Sequence, residues 1–252
     1  MTPDKNAPSL ENLIEVLDLG AEVLHPGGLT TTTELAELCH IEGTSRVLDV
    51  ASGTGEPLCF LVQTLHCQGV GVDFSETMVR RAQKKTEERH LSVVFQQGDA
   101  HHLPFDADTF DVAISECTIC LLDKETALRE MVRVVKRRGH VGFHDLCWKE
   151  TAPEPLKCRL AEIEEEYPET MDGWKHLAQR VGLVDVVAVD RSNLIPQWTE
   201  DFKRRLGILG QLSAIWHVLK RWGIRGLLRI KESERIFRSA DMGYCLIVGR
   251  KP

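Results

Sequence analysis

The segment "RVLDVASGTGEP" (46–57) constrains the fold of this chain more than any other. Its apolar run over 46–51 predicts a fully buried strand. The strand closes on Ala51-Ser52-Gly53-Thr54-Gly55, whose glycines let a ligand approach the backbone amides at a helix N-terminus. That helix is expected over 55–66, with Pro57 tolerated in its first turn. The pattern then repeats. Strands are expected at 69–74, 91–99, 110–116 and 140–148. Helices fall between them at 75–88, with Ser75 as N-cap, and at 124–139, ended by Gly139. Strands alternating with helices at this spacing predict an α/β, Rossmann-like, doubly wound sheet.

Two further strands, 184–190 and 243–251, bring the count to seven, mostly parallel with an antiparallel last strand. A helical region lies over 154–181 and a helical insertion over about 193–240. Residues 1–45 are expected as an N-terminal helical cap. They carry Leu10, Leu13, Ile14, Leu17 and then Leu35, Leu38, Cys39, Ile41 at helical spacing, with "LHPGGLTTTTEL" between. The 252 residues are read as one domain: the cap, a ligand-binding core over 46–150, and C-terminal strands with the insertion over 151–252.

The loop does not suit a dinucleotide. The third glycine of that fingerprint is replaced by Leu58, and a carboxylate at Asp49 would repel a pyrophosphate. Asp49 fits a ligand whose neighbouring group is an ammonium. S-adenosylmethionine has such a group, a carboxylate that loop amides can take, and no phosphate. Asp73, ending the second strand, suits ribose hydroxyls, and Asp99 with the Ala100 amide suits the adenine edge. "ISEC" then ends the fourth strand where a methyl group would be presented.

These motifs resemble those of the class I S-adenosylmethionine-dependent methyltransferases, most closely the ubiquinone/menaquinone-type small-molecule branch. The resemblance covers roughly 40–150 and rests on "VLDVASGTGEP", "GVDFSETMVRRA", "QGDAHHLPFDADTFDVAISE" and "ALREMVRVVKRRGHVGFHD". It implies that Asp49, Ala51, Ser52, Gly53, Thr54 and Gly55 meet the methionyl end and Asp73 the ribose. It places Phe74 and Met78 on the adenine, Asp99 and Ala100 at its edge, and Ser115, Glu116 and Cys117 on the methyl side. The chain departs from the family in three places. Lys136-Arg137-Arg138-Gly139 replaces a Pro-Gly-Gly turn, quinone-enzyme signatures outside the core are not evident, and a basic helical insertion replaces a short hairpin.

Methyl transfer needs a base only when the acceptor loses a proton. Glu116 and His144 are the catalytic candidates, with His101, His102 and Asp145 also at strand ends. Cys117, Cys120, Trp148 and His25 are candidates for the substrate side, and "HPGGL" (25–29) for part of a lid or an ordinary loop. Thiols at Cys117 and Cys120 suggest a soft acceptor such as a thiol or metalloid. A single C-x-x-C does not make a metal site, and none is assigned.

The net charge of −7 argues against nucleic acid as a partner, as does the absence of Pro-Pro-aromatic and Pro-Cys motifs. The charge is uneven: residues 203–238 hold ten Lys/Arg against two Asp/Glu. That basic, Trp-containing stretch reads as a lid over a small apolar acceptor, or as a peripheral membrane contact for a lipid or quinone-like one. The eight cysteines are expected reduced, and the N-terminus shows no basic, apolar leader, so a cytoplasmic location is expected. Two rival readings stay open: a nicotinamide oxidoreductase, and a non-catalytic S-adenosylmethionine-binding protein.

Overall fold

The computed structural model describes residues 25–252. The expected helix around Leu10–Leu17 lies outside them. The chain runs α1 (Leu29–Leu38), β1 (Arg46–Val50), α2 (Glu56–Leu65), β2 (Gln68–Asp73), α3 (Glu76–Arg89), β3 (Val93–Gln97) and β4 (Phe110–Glu116). It continues α4 (Lys124–Val134), β5 (Val135–Trp148), α5 (Glu154–Glu164), β6 (Glu169–Thr170), α6 (Met171–Arg180), β7 (Val184–Asp190), α7 (Ile195–Phe237) and β8 (Met242–Arg250).

The sheet order is β3-β2-β1-β4-β5-β8-β7, with the short β6 paired to β5. All pairings are parallel except those of β8, which runs antiparallel to both β5 and β7. The order reverses between β1 and β4, the place where open α/β sheets open a crevice at their carboxyl ends. Strand alternation separates two cores. Leu35 of α1 and Cys39 just after it, Leu58 and Leu61 of α2 and Val79 of α3 pack on one face with Val47, Ile114 and Tyr244. Leu128 and Met131 of α4 and Trp174 of α6 pack on the other with Leu48, Phe143 and Ile247.

Two expectations change. The helix over 124–139 stops at Val134, and β5 starts at Val135 with no intervening turn. The β-branched pair at the junction favours extended backbone, and the ladder with β4 slips between Phe110 and Val112 to absorb the early start. Gly139 is therefore a strand residue, where a Cβ would sit 2.4 Å from the Asp111 carbonyl oxygen. The insertion, expected as two helices, is α7 with two breaks, at Gly207 (φ 59°, ψ 178°) and Gly223 (φ 67°, ψ −164°). Both glycines adopt φ values that a side chain would resist.

Candidate active site

The loop after β1 is held in shape by its own backbone. Ala51 sits at φ 60°, Gly53 at 52° and Gly55 at 72°. Ser52 N–H donates to Val72 O at 3.0 Å, and Gly55 N–H closes a turn to Ser52 O at 2.8 Å. Gly55 admits no side chain, because a Cβ there would lie 2.3 Å from Phe95 Cζ. Gly53, by contrast, faces open space. Glu56, at the first position of α2, is gripped by Arg89 at 2.8 and 2.9 Å and by Lys85 at 2.6 Å. The cations nearest the loop are thus engaged with Glu56, fastening α2 to α3.

Three carboxylates converge at the strand ends. Asp49 is 2% exposed, and no hydrogen bond from the described residues reaches its carboxyl group. Burial, then the charges of Glu116 and Asp73, push its pKa well above the ordinary 3.8. Asp73 is raised by burial, moderated by the Ser75 and Gly53 amides that it accepts at 2.8 Å each. Each of its oxygens keeps a lone pair for a further donor. Ser52 Oγ is also buried without a partner. An unpaired buried acid, an unpaired hydroxyl and an open glycine fit the amino-acid end of a cationic ligand.

Farther along, Phe74 is 63% exposed, Met78 half-buried and Ala100 buried. Phe74 lies between β2 and α3, Met78 in the first turn of α3, and Ala100 directly after Asp99. That carboxylate accepts from the His101 N–H at 2.9 Å and lies 2.7 Å from His101 Nδ1, while His101 Nε2 accepts from Asp123 N–H at 3.1 Å. His101 therefore braces the loop, and His102 is exposed.

The fourth strand end carries the densest cluster. Glu116 of β4 lies directly across from His144 of β5 in the parallel ladder. His144 Nε2 is 3.4 Å from Glu116 Oε1, and His25 Nε2 is 2.8 Å from Oε2. The two imidazoles approach to 4.4 Å between ring centres. Thr32 Oγ1 donates to Glu116 Oε2 at 3.1 Å, and Tyr244 Oη is 2.6 Å from His144 Nδ1. Burial alone would raise the Glu116 carboxyl, yet the facing His25 and His144 hold it well below the usual range. Burial, and then His25, lower the His144 pKa, so that ring is neutral at pH 7. Thr32 and Tyr244 escaped sequence reasoning, one as part of a capping run and the other as an ordinary strand residue.

Several sequence candidates lie elsewhere. Asp145 is fully buried on the opposite face, where it accepts from the Cys120 and Leu146 amides at 2.9 and 2.8 Å. It pins the turn after β4 rather than facing the cleft. Cys120 is buried in the same core as α4, and Trp148 is a core residue of the α1 face. Ser115 points away from Glu116 by strand alternation and is fully buried. Cys117 packs at the edge of the α1-face core, and burial first, then Asp145, raises its thiol well above 9.0. Cys120 is raised by the same two causes in the same order. Both thiols are protonated, which disfavours them as soft-acceptor ligands. All eight cysteines are free.

Residues 48–143 match a family model described as a methyltransferase domain. A demethylmenaquinone methyltransferase of Lactiplantibacillus plantarum is 34% identical over 156 residues, covering 60% of this chain and 62% of that one. A phosphoethanolamine N-methyltransferase of Triticum aestivum is 27% identical over 175 residues, and the match spans only 35% of its length. Among solved structures, the [4+2]-cyclase SpnF superposes with TM-score 0.76 at 23% identity, covering 97% of this chain and 94% of that one. The Haemonchus contortus phosphoethanolamine N-methyltransferase 2 in complex with S-adenosyl-L-methionine superposes with TM-score 0.75 at 16% identity, over 96% and 57%. These two likenesses carry the fold. With the family match over the glycine loop and the strand ends, residues 48–143 are a methyltransferase domain of the class I S-adenosylmethionine-dependent kind, with S-adenosylmethionine as its cofactor.

Proposed function

We propose that this chain methylates a small, neutral, apolar acceptor that loses a proton in the reaction. The observation that carries this reading is the buried His25–Glu116–His144 cluster on the same sheet face as Asp49. When bound, S-adenosylmethionine supplies an electrophilic methyl group. In this reading Asp49 pairs with its ammonium, the amides of Ser52–Gly55 with its carboxylate, and Asp73 with the ribose. Phe74, Met78 and Ala100 flank the adenine, with Asp99 at its edge. Cys117 and the Glu116 cluster face the reacting side. His144, neutral at pH 7, accepts the acceptor's proton, and Glu116 at 3.4 Å stabilises the imidazolium that results.

Electrostatics favour an uncharged acceptor. Lys85 and Arg89 are held by Glu56, Arg191 pairs with Glu34, and Lys149 is held by Asp190 and Ser192. A phosphate-bearing acceptor would meet carboxylates instead of free cations. A release assay for S-adenosylhomocysteine over quinols, phenols, thiols, amines, phosphate-bearing amines and arsenite tests the reading. Turnover with the quinol or phenol class is expected. Turnover confined to phosphate-bearing amines would overturn it.

A second reading, in which the apolar acceptor is drawn from an anionic membrane, is favoured by α7. Ile208, Leu209, Leu212, Ile215, Trp216 and Leu219 recur at helical spacing and are all exposed, Leu209 at 83%. Lys220 lies 4.8 Å over the Trp216 ring, at the edge of that stripe. Basic residues bordering an apolar face suit an anionic headgroup layer. No helix among the described residues is long and apolar enough to cross a membrane. Co-sedimentation with phosphatidylglycerol vesicles, lost in Leu212→Ser/Trp216→Ser, is expected. Equal recovery with neutral and anionic vesicles would exclude this reading.

A further inference from the structure

We infer that His25, Glu116 and His144 form a binding site for a divalent transition-metal ion. The three residues come from the loop before α1, the end of β4 and the middle of β5, and one ligand atom of each lies within 4.8 Å of the others. His25 is 5% exposed, His144 fully buried, and the Glu116 side chain 6% exposed. The facing atoms His25 Nε2, His144 Nε2 and Glu116 Oε1 are buried, and none makes a hydrogen bond of acceptable geometry. Leaving three polar atoms unsatisfied in a low-dielectric interior is costly unless a shared partner occupies the point on which they converge.

Every outer atom of the cluster, in contrast, is engaged. His25 Nδ1 lies 3.3 Å from the Pro26 carbonyl oxygen, His144 Nδ1 2.6 Å from Tyr244 Oη, and Thr32 donates to Glu116. A carbonyl can only accept, so His25 Nδ1 carries a proton and donates it. In that tautomer the Nε2 lone pair faces a carboxylate oxygen 2.8 Å away, and a metal ion binds where such lone pairs converge. The Tyr244 hydroxyl, within reach of the Cys117 thiol, can accept from His144 Nδ1–H and so turn the His144 Nε2 lone pair inward. Outer contacts of this kind orient metal-bound imidazoles.

Two imidazoles and one carboxylate select Zn²⁺, Fe²⁺ or Co²⁺ over Mg²⁺ or Ca²⁺, and three protein ligands leave coordination positions open. If the methyl-transfer reading holds, a bound ion takes the His144 Nε2 lone pair, so in the metal-loaded protein the ion would replace His144 in easing loss of the acceptor's proton. The metal site itself does not depend on that reading.

The test is equilibrium dialysis of chelator-stripped full-length protein against Zn²⁺, Co²⁺ and Mg²⁺ in turn. One Zn²⁺ or Co²⁺ per chain is expected, with visible Co²⁺ absorption of nitrogen/oxygen type and no Mg²⁺ uptake. His25→Asn and His144→Asn should each weaken binding at least tenfold, with S-adenosylhomocysteine binding and circular dichroism confirming that the variants fold. Tyr244→Phe, which keeps all three ligands, should shift the Co²⁺ spectrum. Absence of stoichiometric uptake by the wild type would overturn the proposal, as would sulfur-type Co²⁺ absorption or uptake unchanged in both histidine variants. Metal uptake without methylation of any acceptor would support the metal site and count against the methyl-transfer reading alone.

Discussion

Replacing Asp49 with Asn separates what the residue does for the fold from what it does for the cofactor. In the free protein, burial first, then Glu116 and Asp73, raise the Asp49 carboxyl well above 3.8. A raised native pKa means that the folded state binds more protons than the unfolded one between the two values. Stability therefore falls as pH rises through that window, by about 1.4 kcal/mol per pH unit. Asparagine has nearly the same shape and no charge to desolvate, so Asp49→Asn should be at least as stable as wild type at pH 7. The two proteins should converge in stability below about pH 3.8, where Asp49 is protonated in both states. Cofactor binding should move the other way. An ammonium that loses its buried carboxylate partner costs about 3 kcal/mol, or roughly 150-fold in Kd. Wild-type binding also requires Asp49 to ionise, so affinity should rise with pH up to the raised pKa, with a proton released to buffer. Calorimetry with S-adenosylhomocysteine in buffers of different ionisation enthalpy reads affinity and proton release together, and denaturant melts read stability. If Asp49→Asn bound the cofactor product like wild type, or lost more than about 1 kcal/mol of stability at pH 7, the reasoning would fail.

Other sites give independent checks. Gly55→Ala places a methyl group 2.3 Å from Phe95 Cζ at φ 72° and should cost roughly 2–3 kcal/mol in a denaturant melt. Glu56→Gln leaves Lys85 and Arg89 without their carboxylate and should cost about 3 kcal/mol at pH 7. Burial opposes, but the Arg89 and Lys85 contacts outweigh it, so the Glu56 pKa sits below 4.5. Its stabilisation is fully present above about pH 4.5 and fades as pH falls through the lowered value, so the Glu56→Gln deficit should shrink in acid melts. Tyr244→Phe removes the 2.6 Å contact with His144 and should lower kcat about tenfold while leaving cofactor KM unchanged, as steady-state kinetics would show.

The parts of this molecule that sequence reasoning captured are those encoded locally. The strand over 46–50, the Ser75 cap that accepts from the Met78 amide, and β4 over Phe110–Glu116 each follow from adjacent residues. The α4–β5 junction was misread because a glycine after basic residues has the signature of a helix end. In the folded chain the same glycine admits the Asp111 carbonyl against a bulged strand. The cluster around Glu116 lies at the other extreme. Thr32 meets Glu116 across 84 residues and Tyr244 meets His144 across 100. Those contacts exist because β8 inserts antiparallel beside β5 and the chain before α1 folds over the ends of β4 and β5. No periodicity within either segment encodes such a meeting. His25 could be named beforehand only as a substrate-side candidate in a loop and His144 only as a separate strand-end candidate, whereas Glu116 could be placed because the order of strand ends is itself a repeated local pattern. The carboxylate was therefore legible and its two imidazoles were not legible as a set. That asymmetry is expected where a local scaffold positions one member of a cluster and tertiary packing delivers the others.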